Sequence, residues 1–262
     1  MSVEFKYIPR TRIGNVLFQY ACARLFAETH GLRLLTPFNP PNGSEIVRVL
    51  PNAGGEVVQE PTVHLTDSSW VLRENPQTQF RFLRMEDSPF AGSWPRARYV
   101  MEGFFQRSSW YHERRAAIER FMAPEPIGAI NTKDIVISLR IGQDWKALNW
   151  VIHPQWYLDI LAKERFDALH IVTDTLDEKY LAHFAGYSPR VISSGPKGDW
   201  EYLRSFDRIV CSNSSFAWWA CFFSRASRIY TFKRWNADPI VRIERFPNGV
   251  EVDGQFLHER AD

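Results

Sequence analysis

From Ile135 onward the chain alternates between two hydrophobic periodicities, and no other feature restricts its fold as much. Ile135–Leu139 (IVISL) is a short apolar, β-branched run, and a helical pattern follows from Pro154 with Tyr157, Ile160 and Leu161 on one face. Leu169–Thr173 (LHIVT) repeats the strand signal, and Asp177–Ala185 reads as a helix that Gly186 closes. Val191–Ser193, Trp200–Phe206, Ile209–Cys211, Phe216–Phe223 and Ile229–Phe232 continue the alternation. Five apolar runs separated by four helical ones predict βαβ units, because a strand covered by helices on both faces has no polar side to alternate with. The class is α/β with a parallel sheet.

The first half begins in the same way. Phe5–Ile8 is strand-like, Phe18, Ala21, Cys22, Leu25 and Phe26 follow helical spacing, Gly31 supplies a stop, and Leu32–Leu35 resumes as a strand. Residues 37–98 are rich in loop signals and give no threading. Eleven of the sixteen prolines precede residue 130. Ala123–Ala129 holds two prolines and a glycine, which block both helix and ladder, so the chain is divided there into 1–128 and 129–262. Near the end, Pro247-Asn248-Gly249 between Ile243–Phe246 and Val250–Val252 signals a hairpin.

Composition narrows the function classes. The 32 Lys and Arg against 30 Asp and Glu leave +2, which gives no general field for gripping nucleic acid. Ten tryptophans can stack bases, but neither a basic stripe nor a known motif accompanies them, so a nucleic-acid module is poorly supported. A 15% aromatic content fits a sugar-handling cleft and fits a large aromatic core at least as well. A chain of 262 residues buries roughly three quarters of its unfolded surface and needs no staples. Cys22, Cys211 and Cys221 cannot all pair and form no C-x-x-C, so buried free thiols in a reducing compartment are expected. The opening MSVEFKYIPR lacks the apolar stretch of a signal peptide, and Phe216–Phe223 is too short to span a bilayer. A cytoplasmic protein without a transmembrane segment is the expectation.

Ligands of open α/β sheets bind beyond the carboxyl ends of the strands. Those positions hold Arg140, Thr173 with Asp174, Ser193 with Ser194, Asn213 with Ser214 and Ser215, and Lys233 with Arg234. Arg140 can fork onto a diphosphate and stabilise the charge on a departing nucleotide, each such bond being worth roughly 1.5–3 kcal/mol. It can equally be tied to Asp144 or a loop carbonyl. Ser214 and Ser215 open the helix that carries Phe216 and Trp219, as an anion site or as an ordinary cap. Trp218 and Trp219 point to different sides of that helix, so at least one is expected in the core. Gly14-Asn15 is placed between the first strand and first helix, where glycine admits a ligand and asparagine caps or contacts it. Asp174 and Asp144 can orient a hydroxyl, act as a base, or simply cap helices.

The sequence contains no D-x-D, H-E-x-x-H, G-x-S-x-G, G-x-x-x-x-G-K-[ST] or G-x-G-x-x-G, and its seven histidines show no metal-ligand spacing. A metal-independent reaction on a phosphate-bearing small molecule remains.

Several segments then resemble one family. Arg12-Ile-Gly-Asn-Val-Leu-Phe-Gln-Tyr-Ala21 is similar to the G-x-[LI]-G-N-Q-[ML]-F-Q-Y-A opening of the α-1,2-fucosyltransferases, glycosyltransferase family eleven. Gly103-Phe-Phe-Gln106 resembles their G-Y-[FW]-Q, Ile137–Gly142 stands where they have V-H-x-R-R-G-D, and Ile171-Val-Thr-Asp174 resembles F-S-D-D. Ser212-Asn-Ser-Ser-Phe-Ala-Trp-Trp-Ala220 matches x-N-S-S-F-S-W-W-[AG]. These segments keep the family order from Arg12 to Trp235.

The resemblance implies a GT-B-like fold of two Rossmann-like lobes with a cleft between them, an acceptor-side lobe over 1–128 and a nucleotide-sugar donor lobe over 129–262. It implies an inverting, metal-independent transfer of a sugar from a nucleoside diphosphate, GDP-fucose in the family, to a glycan hydroxyl. Carried over by position, Arg140, Asn15 and Asp144 form the catalytic set. Gly14, Ser138, Thr173, Asp174, Asn213, Ser214, Ser215 and Phe216 bind the donor, and Gln19, Phe105 and Gln106 lie on the acceptor side. The acceptor proton has Asp144, His153 and Glu102 as candidate bases. The chain departs from the family at Ser138 for His, Ile141 for a second Arg, Gln143 for Asp and Val16 for Gln. These departures keep two alternatives open: a transferase using another nucleotide-sugar, and an inactive relative that binds nucleotide or glycan.

Overall fold

A computed structural model describes residues 2–6, 8, 11–36, 38, 46–49, 62–67, 80–82, 88–95, 97–234 and 246–257. The chain divides into two compact units, Met1–Pro124 and Glu125–Asp262, and the division falls within the proline-containing segment Ala123–Ala129.

In the first unit, β1 (Ser2–Phe5) leads into α1 (Ile13–Thr29), followed by β2 (Arg33–Leu34), β3 (Arg48–Val49), β4 (Thr62–Thr66), β5 (Phe80–Phe82) and β6 (Arg98–Met101). Two short helices, α2 (Ser108–His112) and α3 (Arg115–Phe121), and β7 (Met122–Ala123) complete it. The main sheet has the order β2-β1-β6-β4-β5 and is parallel throughout, while β3 and β7 form a small antiparallel pair. Nearly every residue of α1 through Ala27 is buried, so this helix belongs to the unit's interior rather than lying on its surface. Gly31 takes φ +63 and turns the chain into β2.

Three details differ from expectation here. The first strand ends at Phe5 instead of running to Ile8, and the second is only Arg33–Leu34. Arg12 is the N-cap of α1, so Gly14 and Asn15 stand within its first turn and not in the loop before it.

The second unit runs β8 (Ile135–Leu139), α4 (Gln143–Ala147), α5 (Pro154–Leu161), β9 (Leu169–Thr173) and α6 (Glu178–Leu181), which passes into a 3₁₀ segment Ala182–Tyr187. Then come β10 (Arg190–Ile192), α7 (Pro196–Arg204), β11 (Arg208–Cys211), α8 (Ser215–Phe222), β12 (Arg228–Phe232) and β13 (Gly249–Val252). All six strands are parallel, in the order β10-β9-β8-β11-β12-β13. Counted within the unit this is 3-2-1-4-5-6, the order of doubly wound nucleotide-binding sheets. Every residue of β8 and β9 is buried, as their unbroken apolar runs require.

Corrections apply here as well. Gly186 does not close its helix; Ser188 does, in the left-handed region at φ +45. The helix expected from Trp200 starts four residues earlier, at Pro196, where a missing N–H is harmless. Phe246 to Gly249 does turn, with the Gly249 N–H donating to Phe246 O at 2.8 Å. But β13 joins β12 in parallel, because the open edge of β12 supplies its ladder; Ile243 to Arg245, the other arm of the expected hairpin, lie outside the described residues. The expectation that at least one of Trp218 and Trp219 is in the core is met by both, since α8 is apolar on all sides and packs against α7 and β11. The three cysteines are buried free thiols.

The end of the sheet away from the strand carboxyl termini is closed by polar side chains. His170 Nε2 lies 3.1 Å from Asp134 Oδ2, and its Nδ1 lies 2.7 Å from the Tyr202 hydroxyl. Asn131 donates to Asp134 at 2.8 Å, and this bond, with help from His170, holds the Asp134 carboxyl below the usual range.

Candidate functional site

Connections from β8 lead to β9 and β10 on one side, and those from β11 lead to β12 and β13 on the other. The direction of the connections therefore reverses between β8 and β11, the kind of point at which open α/β sheets bind ligands beyond the strand carboxyl ends. Ser138 near the end of β8 and Ser212 after β11 meet across this point, their hydroxyl oxygens 3.1 Å apart. Arg140 follows β8, Asp174 follows β9, and Asn213, Ser214 and Ser215 follow β11.

Arg140 is largely buried, and two carboxylates hold its fork. Its Nη1 donates to Asp174 Oδ2, and its Nη2 donates to Asp144 Oδ2 at 2.6 Å. Asp174 also accepts the Ile141 N–H at 3.1 Å. The guanidinium stands 4.6 Å from the centre of the Trp145 ring, a cation–π contact. Gly142 makes this crowding possible: a Cβ there would lie 2.8 Å from Asp174 Oδ2 and 2.9 Å from Asp144 Oδ1. Beside it Lys146 donates to Asp177 at 2.5 Å, a bond that holds the Asp177 carboxyl below its usual range. Asp177 also caps α6 by accepting the Tyr180 N–H.

Asn213 works as a strut. Its Oδ1 accepts from Trp145 Nε1 at 3.3 Å and its Nδ2 donates to Trp150 O at 2.9 Å, so it ties the 143–150 segment to the end of β11. Its side chain thus holds two parts of the protein together beside the end of β11. Thr173 likewise bonds within its own loop, donating to Thr175 O at 2.9 Å. Ser214 occupies the N-cap of α8 but makes no side-chain cap bond; its N–H donates to Ser212 O. Phe216 is half-buried and meets Trp200 edge-on at 5.5 Å. Ser194 caps nothing; its N–H and hydroxyl both donate to Asp199 Oδ1.

The site residues expected in the first unit meet one another at the start of α1 and the end of β6. Gln106 Nε2 donates to Asn15 Oδ1 at 2.8 Å, and Gln19 Nε2 donates to Gly103 O at 3.0 Å. Asp67, just past β4, accepts the N–H groups of Phe104 at 2.9 Å and Phe105 at 2.6 Å, fixing a turn in which Phe105 has φ +52. Gly103 is required there, since a Cβ would lie 2.2 Å from Asp67 Oδ1. Phe105 is 0% and Gln19 1% exposed, so both side chains lie in the interior. Of the other candidate bases, His153 caps α5, its Nδ1 accepting from Gln155 N–H at 3.2 Å, and Glu102 pairs with Lys6 at 3.3 Å.

Two residues escaped the sequence reading. Trp145 covers Arg140, and only the path of the loop reveals it. Asp67 is a strand-end carboxylate that the same strand-end rule finds once β4 is known. Among the described residues no group of His, Cys, Asp and Glu is placed to hold a metal ion, and no helix is long and apolar enough to cross a membrane. Comparison with protein-family models, curated proteins and solved structures finds no match.

Proposed function

We propose that the protein is an inverting glycosyltransferase that takes a sugar from a nucleoside diphosphate, with GDP-fucose the first donor to test, and passes it to a glycan hydroxyl. One observation carries this reading: Arg140 and the Ser212–Ser215 segment stand at the carboxyl ends of β8 and β11, on either side of the reversal point of a 3-2-1-4-5-6 sheet. The two segments that most resemble the donor-site motifs of the fucosyltransferases, Ile137–Gly142 and Ser212–Ala220, are the ones that end those strands. In the two-lobed GT-B plan that the resemblance implies, the second unit is the donor lobe and the first the acceptor lobe.

The acceptor oxygen attacks the anomeric carbon opposite the leaving group. The bond from that carbon to the β-phosphate oxygen breaks, and its electron pair leaves on the diphosphate. Arg140 places a fixed positive fork where that charge develops, so little reorganisation is needed during the step. Holding donor and acceptor in line supplies much of the remaining acceleration. The acceptor proton passes to Asp144.

A second reading follows from the two carboxylates on Arg140: a relative that binds nucleotide without turnover. A panel of GDP-, UDP- and CMP-sugars, assayed for nucleotide release with and without galactose-terminated glycans, separates the two. Acceptor-dependent release from one donor class is expected. Nucleotide binding with neither transfer nor hydrolysis across the panel overturns the transferase reading in favour of the second.

A further inference from the structure

We infer that Arg204 and Arg225 form a second anion site, at the amino ends of β11 and β12, and that its ligand is an oxyanion of the phosphate class. Arg204 is the last residue of α7 and leads into β11, while Arg225 stands between α8 and β12. Because β11 and β12 pair, these are neighbouring helix-to-strand turns, at the end of the sheet away from Arg140. The site owes nothing to the nucleotide reading above.

Arg204 is only 3% exposed, yet among the described residues no carboxylate forms an ion pair with it. Its Nη2 donates to Glu125 O at 3.0 Å, and its Nε–H is buried with no acceptor. The acids on these elements are engaged elsewhere. Glu201 pairs with Lys197 at 3.9 Å, and Asp207 accepts the N–H and the hydroxyl of Ser227. Burial lowers the Arg204 pKa to about 10, with Glu201 acting against that shift and Arg225 adding to it. At neutral pH the guanidinium still carries its charge. A buried cation held by a single carbonyl is costly, and such an unsatisfied group points to an ion or water bound there.

The unused donors say which. Trp200, four residues back and so on the same face of α7, has a second buried N–H without an acceptor among the described residues. Water would fill donors and leave the charge uncompensated, whereas an oxyanion does both. Arg225 is exposed and its side chain makes no ion pair or hydrogen bond among the described residues, so an anion arriving from solvent meets a free guanidinium. Two guanidiniums match the two charges of phosphate or a phosphomonoester better than the single charge of a carboxylate.

Thermal unfolding with about 10 mM inorganic phosphate, glycerol 3-phosphate or acetate, each replacing chloride at equal ionic strength, tests the site. Arg140→Ala serves as the parent, so that anion binding at the candidate donor site does not enter. A rise of about 3 °C in the midpoint is expected with a phosphate ligand, and none with acetate. The larger of the two phosphate shifts tells free phosphate from a phosphorylated metabolite as the source. Arg225→Glu, a change at an exposed position, should abolish the shift, and Arg204→Met should do the same. A shift in Arg225→Glu equal to that of the parent places the anion elsewhere and overturns the site, whether or not Arg204→Met folds. An acetate shift as large as that of phosphate overturns the ligand class. No shift with either phosphate ligand overturns the site outright and leaves the Arg140 reading untouched.

Discussion

Arg140→Ala should lower affinity for a nucleoside diphosphate by about a hundredfold, and Arg140→Lys should not restore it. Two charge-assisted bonds to phosphate oxygens at roughly 1.5–3 kcal/mol each set the scale, and part is offset by the carboxylate contacts Arg140 already makes. Removing the guanidinium also takes from Asp144 and Asp174 the cation they share, so their charge opposes an incoming anion further. Lysine brings back the charge but not the planar fork, and its single ammonium cannot span the positions now taken by Nη1 and Nη2. The stacking on Trp145 also weakens. Titration of the three proteins with GDP, alongside thermal unfolding to establish that each is folded, reads this out. Wild-type affinity or full transfer activity in the Lys variant would remove Arg140 from its role.

The second large effect lies beneath the site. Trp200→Ala should destabilise the protein by about 3–5 kcal/mol, the range for deleting a fully buried large aromatic. Trp200 is 0% exposed, carried by α7, and its ring meets Phe216 at 5.5 Å near the start of α8 and Phe223 at 6.3 Å at its end. A cavity there loosens the start of α8, so nucleotide affinity should fall together with stability. Trp200→Phe should stay within about 1 kcal/mol of wild type. The Trp200 Nε1–H finds no acceptor among the described residues, and leaving such a group buried costs about 1–3 kcal/mol. Phenylalanine loses ring volume but removes that orphan donor. Thermal unfolding separates the two variants, with a fall of roughly 10 °C expected for alanine. A small shift for alanine would show that α8 is positioned by something other than this contact.

The second unit was legible because its strands are buried on both faces. Runs such as Ile135–Leu139 and Leu169–Thr173 have no polar period, and once they are strands their carboxyl ends follow, which is how Arg140, Asp174 and Ser214 stood out. The pairing of β13 is less legible, because Pro247-Asn248-Gly249 carries the chemistry of a tight turn and the other arm of the expected hairpin lies outside the described residues. Nothing local tells a strand that its partner is the open edge of β12. The first unit hid more. β4 pairs with β5 and β6, which lie elsewhere in the chain, and its residues Thr62 to His64 are not buried. Such a strand shows no apolar run, so Asp67 at its end stayed invisible too. Within the site, a tie from Arg140 to Asp144 is one of the alternatives the sequence offers, since both follow the end of β8 closely. The second grip from Asp174 and the cover by Trp145 depend on how neighbouring loops pass over β8, and no local pattern records that.

Calorimetric titration of the wild-type protein with GDP, UDP and CMP, without added metal, tests the proposed donor site most directly. A saturable site that prefers a nucleoside diphosphate to CMP is predicted, because the Arg140 fork is suited to two phosphates. A preference for UDP over GDP keeps the site and changes the donor. No binding of any of the three would contradict the assignment of the carboxyl ends of β8 and β11 to a nucleotide-sugar.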